Sequence, residues 1–293
     1  MKRLRPSTVR RFLLWYFDRP SNDPYVSLTF EVAVAPALEF LDAFAREHGS
    51  RVGLQHLVTK AVGQCLRDLP AVHVKIFGRS IYALDHVHVA APVHLGADPR
   101  ASGGDETGLI IVRDVDRKGL AEIARETRRG ASAERGDKAS MQGSALLRRA
   151  ARGAPAPLFY GGLALVGRLL ERPEVHQLAD EALGASSVVT NIGAVFRLPQ
   201  GARFRSASLS VPDKAGPMTT VFGLGPVEAA PVVRDGRVQA GQVLPVLAVV
   251  DHRAVDGVLM ATLASKLAGY LLDPRSLPGV SAPRRSPDLL AVK

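Results

Sequence analysis

Histidine is the side chain best able to take or give a proton near neutral pH. One of the eight histidines stands where an apolar strand should run into a sharp turn: Val249-Val250-Asp251-His252-Arg253-Ala254-Val255-Asp256-Gly257. A turn leaving a buried strand holds such a group in one orientation. Asp256, four residues on, falls at the start of the next helix. There the helix dipole favours a carboxylate, and an ion pair from it would stiffen the turn. Gly257 opens that helix. For an arbitrary His–Asp pair at this spacing, a turn cap and an N-terminal helix acid with no chemistry is the favoured reading, and only the wider context of the segment reverses it.

Other residues with chemical potential fare less well. His86, His88 and His94 lie in a strand-like stretch, and the first two share a face at a spacing that could ligate a metal. No cysteine or matching acidic third ligand accompanies them in the sequence, so they read as solvated or packed side chains and no metal is expected. Gly103-Gly104-Asp105 matches no phosphate-binding pattern, and Gly223-Leu224-Gly225 lacks the third glycine and following helix of a dinucleotide fingerprint. The single cysteine, Cys65, excludes an internal disulfide and any multi-cysteine metal site, and it fits a reducing compartment. It falls on the buried side of an amphipathic stretch, which suits a core residue better than a nucleophile.

The elements that must position His252 follow from periodicity. A Ser/Thr start and helical spacing predict a helix over STVRRFLLWYF, broken between Pro20 and Pro24. Tyr25–Val34 alternates and reads as a strand. Pro36 opens a helix closed by Gly49, and residues 54–68 repeat apolar positions three and four apart. Strands are expected over Val72–Ile76, Ile81–His94, Leu109–Val112, 187–196, 219–224 and 243–250, with a hairpin at Arg234–Gly241. Asp116–Arg129 reads as a surface helix, ERPEVHQLADEALG as helix-like and 257–272 as a final amphipathic helix. With no dividing linker and no internal repeat, the expectation is one mixed α/β (α+β) layered domain over 1–274, with a Pro/Ser/Arg-rich tail over 275–293.

The chain has 293 residues, 38 basic and 28 acidic, for a formal net charge of +10. Residues 1–19, 113–152 and 275–293 together carry +13, and everything else is net negative. Charge confined in this way reads as solvated helices and tails, and no aromatic-interleaved basic motif accompanies it, so nucleic-acid binding is not expected. No stretch is long and apolar enough for a signal peptide or a membrane span, and a cytoplasmic location is expected.

The motif His-x-x-x-Asp-Gly between an apolar strand and an amphipathic helix resembles the active-site segment of the chloramphenicol-acetyltransferase-like superfamily. Extended to DHRAVDG, it is similar to the dihydrolipoamide acyltransferase catalytic core of 2-oxo acid dehydrogenase complexes. RRFLLWYFDRPSNDPYVSLTFEVAV, LQHLVTKAVGQCLRDLPAVHVKI, HVHVAAPVHL, GLIIVRDVDRKGLAEIARE and VVTNIG follow in the same order as that family's segments.

The resemblance implies a layered sandwich with a mixed sheet flanked by helices. It also implies a homotrimer, able to assemble further, whose active site lies between subunits. Coenzyme A or acyl-coenzyme A would be a substrate, with no covalently bound cofactor. His252 would activate a thiol, Thr190 would stabilise the tetrahedral oxyanion from a neighbouring subunit, and Asp256 would pair with Arg10 or Arg11. Asn191 would orient its turn or serve as a plain turn residue. The family's complex-forming members carry a lipoyl domain upstream. Here the core starts near Met1, so an external acyl carrier or other unidentified acceptor is expected, as in free-standing members. The segment 140–184 reads as an insertion, expected first to pack within its own trimer, next to enlarge an acyl pocket; membrane contact is not expected. A non-catalytic trimeric scaffold is the alternative to an acyltransferase.

Overall fold

The computed structural model describes residues 2–3, 23–94, 107–135, 155–178, 184–194, 196, 198–199, 202–209 and 218–280. The opening helix expected before Pro20, with Arg10 and Arg11, lies outside these residues, as does much of the 140–184 segment. In chain order the elements are β1 (Lys2–Arg3), β2 (Tyr25–Ala33), α1 (Ala35–His48), α2 (Leu54–Asp68), β3 (Val74–Phe77), β4 (Ser80–Ala83), β5 (Val89–His94), β6 (Thr107–Val112), α3 (Leu120–Arg135), α4 (Ala156–Leu170), α5 (Pro173–Leu178), β7 (Ser187–Asn191), β8 (Thr220–Leu224), β9 (Glu228–Arg234), β10 (Arg237–Asp251) and α6 (Gly257–Leu272).

Strands β2, β10, β8, β7, β5 and β6 lie side by side in that order, and β9 pairs with the first half of β10. β7 runs parallel to both its neighbours, while the other pairings are antiparallel, so the sheet is mixed. A small second sheet is ordered β1-β4-β3. Period-2 alternation sets the faces of β2: Leu28, Phe30 and Val32 join the main core, while Ser27, Thr29 and Glu31 are exposed. Against the inner face pack α1, α2 and α6. The strand expected over 81–94 is cut in two because the chain changes sheets between Ala83 and Val89.

Helix α2 ends where the spacing of its apolar residues predicts, yet its side chains are buried without a break from Leu57 to Leu66. It lies between the sheet, α3 and α6, so its polar residues are enclosed too. Gly63 allows this: a Cβ there would sit 2.5 Å from a methyl of Val115. Lys60 is 1% exposed, and its Nζ donates to the carbonyls of Val115 (3.2 Å) and Asp116 (2.7 Å), fixing the loop after β6. Burial pulls its pKa down, opposed by the nearby Asp116 and Glu122 charges. Cys65 is buried on the same helix, and desolvation pushes its thiol up to about 12.

Two further differences have local causes. The strand expected over 187–196 stops at Asn191, whose Oδ1 accepts from the Ala194 amide at 3.1 Å and turns Ile192–Ala194 into a 3₁₀ turn. Leu277 and Val280, which the sequence reading assigns to the tail, are each 2% exposed and belong to the core.

Removing the Lys60 ammonium while keeping its length would leave two buried carbonyls unsatisfied. Lys60→Met is expected to lower stability by about 1–3 kcal/mol in urea titrations. His73 predicts a pH effect. Its Nδ1 lies 3.0 Å from Ser186 Oγ and its Nε2 3.0 Å from the His86 carbonyl, and desolvation lowers its pKa from 6.5 to about 4. Between those values the unfolded chain binds the extra proton and the fold does not, so stability falls as pH drops through that window. His73→Gln is expected to flatten this part of a stability-against-pH curve measured by urea midpoint.

Candidate active site

The turn carrying His252 is built by strand β10 and finished by helix α6. Nine consecutive residues of β10, Val243 to Asp251, are buried and pair with β2 from Ala33 back to Tyr25. At the strand end the His252 amide donates to the Pro24 carbonyl at 2.8 Å, so the turn is tied to the residue preceding β2. The amides of Ala254 and Val255 both donate to the Asp251 carbonyl.

Within the turn, His252 Nδ1 lies 2.9 Å from the Val255 carbonyl oxygen. A carbonyl only accepts, so the favourable neutral tautomer carries its proton on Nδ1 and leaves the Nε2 lone pair as the basic position. The ring is half-buried. On either side, Asp251 and Arg253 form a fork: Arg253 Nε and Nη2 reach the Asp251 carboxylate at 3.0 and 2.6 Å, and the Arg253 amide donates to the same group. Asp251 is 2% exposed. The Asp-His-Arg alternation was visible in the sequence, but its pairing was not expected there. The Val255 carbonyl has no sequence signal at all.

Asp256 is exposed and caps α6, its Oδ1 accepting from the Leu259 amide at 2.9 Å. This is the helix-acid role that the spacing allowed. Its expected partners Arg10 and Arg11 lie outside the described residues. Gly257 is the first residue of α6, and among the described residues nothing lies within 4 Å of where its Cβ would be, next to the His252 turn.

Thr190 lies elsewhere. It is aligned with Gly223 across the β7–β8 pairing, and Gly223 with Leu247 across β8–β10. His252 follows Leu247 by five residues, which places it ~17 Å further along the strand direction and two strands, ~10 Å, across. Thr190 and His252 of one chain therefore stand near opposite ends of the sheet. Thr190 borders a pocket with Ile192, Phe204, Leu209, Gly223 and Leu247, on the face away from the helices. Gly193 closes this end: a Cβ there would lie 2.2 Å from the Gly225 carbonyl oxygen, so the Asn191 turn and the end of β8 approach as only glycine permits.

The remaining candidates are engaged in ordinary contacts. His86 Nδ1 pairs with Asp114 Oδ1 at 2.9 Å, and His88 Nδ1 accepts from the Asp114 amide at 3.1 Å. The described residues hold no group of three potential metal ligands. The side chain of His94 lies outside the described residues.

A family model described as 2-oxoacid dehydrogenases acyltransferase (catalytic domain) matches residues 18–145 and 166–278. The dihydrolipoyllysine-residue succinyltransferase component of the 2-oxoglutarate dehydrogenase complex of Bartonella vinsonii subsp. berkhoffii is 24% identical over 283 residues, covering 94% of this chain and 55% of that protein. The chain thus spans about half the length of this relative. In fold, it is similar to the dihydrolipoamide acetyltransferase of Azotobacter vinelandii (TM-score 0.61, 19% identity, 92% of this chain and 88% of the other). It is also similar to chloramphenicol acetyltransferase (TM-score 0.53, 16% identity, 92% and 100%).

The Asp251–Arg253 fork predicts a stability effect next to the histidine. Arg253→Ala leaves a buried carboxylate without its cation and is expected to cost about 3 kcal/mol in urea unfolding. The double change Asp251→Asn with Arg253→Met should recover much of that loss.

Proposed function

The chain belongs to the family of 2-oxoacid dehydrogenase acyltransferase catalytic domains, and from that premise we propose that it transfers an acyl group between coenzyme A and a second thiol, at sites shared between copies. The observation that carries this reading is the separation of His252 from Thr190 along the sheet, together with a histidine whose Nδ1 is occupied by a backbone carbonyl. A base and an oxyanion donor ~20 Å apart cannot serve one carbonyl within a chain. Two copies can bring the His252 end of one sheet to the Thr190 end of another, and a closed ring of three copies repeats that contact at every boundary.

The proposed steps need no enzyme nucleophile. Nε2 of His252 takes the proton from the attacking thiol, and the sulfur adds to the thioester carbonyl carbon. The carbonyl π electrons move to oxygen, where the hydroxyl of a neighbouring copy's Thr190 donates a hydrogen bond to the oxyanion. Collapse re-forms the C=O bond and breaks the bond to the leaving sulfur, which takes the proton back from His252. The hydrogen bond to Val255 keeps Nδ1 protonated, so Nε2 can cycle between base and acid without the ring turning. Because a thiol is already a good nucleophile, one base and one donor suffice. Asn191 and Gly193 serve by shaping the backbone that carries Thr190, and Asp256 by starting α6.

Acyl transfer from acyl-coenzyme A to dihydrolipoamide, followed by chromatographic separation of free coenzyme A from acyl-coenzyme A, tests the roles. His252→Ala is expected to lower kcat by about 10²–10⁴-fold and Thr190→Ala by about 10²–10³-fold. Refolding the two variants together in equal amounts should restore activity to about a quarter of wild type, because a boundary with an intact His252 on one side and an intact Thr190 on the other forms at that frequency in a closed ring. Mixed chains no more active than the separate variants would rule out a shared site. Full transfer by His252→Ala would rule out the base.

A further inference from the structure

On the sheet face away from the helices, Thr29, Leu247, Gly223 and Thr190 form one row across β2, β10, β8 and β7. Gly225, two residues further along β8, shares that face. The two glycines leave a trough beside Thr190, and side chains from residues 202–209 drop into it. A Cβ on Gly223 would stand 3.0 Å from Leu209 Cδ1, and one on Gly225 would stand 2.8 Å from a ring carbon of Phe204. Both approaches are closer than an ordinary contact between carbons. Leu209 and Phe204 thus occupy space that β8 gives up.

These two side chains are held in place. The Phe204 amide donates to Glu228 Oε1 at 3.1 Å, and its ring meets Phe196 edge-on. Leu209 packs against the cluster of Val221, Leu247 and Val249. What remains between them and Thr190 is a cavity of about 20 Å³, room for roughly one water-sized group. Among the described residues, its polar side chains are Thr29, Thr190 and Ser206, and none is charged. None of its described lining comes from 140–184, where the sequence reading allowed an enlarged acyl pocket.

A carbonyl oxygen that accepts from the Thr190 hydroxyl places the next carbon of its acyl chain within ~5 Å of that hydroxyl. The acyl chain therefore starts beside this cavity. We propose that Leu209 and Phe204 form the specificity-determining wall of the acyl site, limiting the transferred group to a short, uncharged one of about two or three carbons. The assignment rests on the acyl transfer proposed above. A longer chain would have to displace a side chain packed against glycine, and a terminal carboxylate would lose its water with no cation among the described lining residues to receive it.

Transfer to dihydrolipoamide from acetyl-, hexanoyl- and succinyl-coenzyme A, with free coenzyme A separated chromatographically, tests the wall. Wild type is expected to favour acetyl over each of the others by about tenfold or more in kcat/KM. Leu209→Ala should raise the hexanoyl-to-acetyl ratio of kcat/KM about tenfold, and the milder Leu209→Val and Phe204→Leu about threefold each. A ratio taken within one preparation does not depend on the fraction of chains that fold. Wild type that transfers hexanoyl or succinyl groups as well as acetyl overturns the wall and leaves acyl transfer standing, as do ratios that none of the three variants moves. No transfer of any group by wild type overturns both.

Discussion

Strand β10 bonds along one edge to β2 over nine positions and along the other to β9 and β8. A residue inserted anywhere in its buried half would turn the downstream side chains to the wrong face. Its register therefore fixes three things together: which β2 side chains enter the core, where β8 and hence Thr190 stand, and where the strand releases the chain into the His252 turn. His252 and Thr190 are placed by one ruler, at separate marks along it.

The turn at the end of that ruler is rigid for reasons that reinforce one another. The His252 amide is held by Pro24, the ring by Val255, the preceding carboxylate by Arg253, and the helix that follows starts on Asp256. Each bond alone contributes modestly, about 1 kcal/mol for a neutral pair. Together they remove the rotamer freedom that a surface histidine would keep, which is the condition for a base to meet its substrate in one geometry.

Much of this was legible from residue types. Helices α2 and α6 begin and end where apolar spacing predicts, because amphipathic periodicity and their bounding residues agree. Cys65 reads as core and is core. What sequence could not convey was partnership through the backbone and across layers. Lys60 looks like an ordinary helix cation until the loop carbonyls of Val115 and Asp116 close over it. The 81–94 stretch reads as one strand because both halves are β-rich, and only the pairing of β4 with β3 and of β5 with β6 divides it. Residues 154–167 carry no charge, a composition that favours burial, yet Leu158 and Leu165 are exposed in the chain. Composition gives a preference for leaving water and says nothing of where the apolar partner is found.

The lone thiol gives the molecule a built-in reporter. Cys65 sits buried in the last turn of α2 with its ionisation driven to about 12, so neither oxidants nor alkylating reagents find a thiolate while α2 stays seated. Any modification at neutral pH must pass through an opening of the core around α2. The pace of thiol labelling then measures how often the core breathes, on a chain that needs no engineered probe.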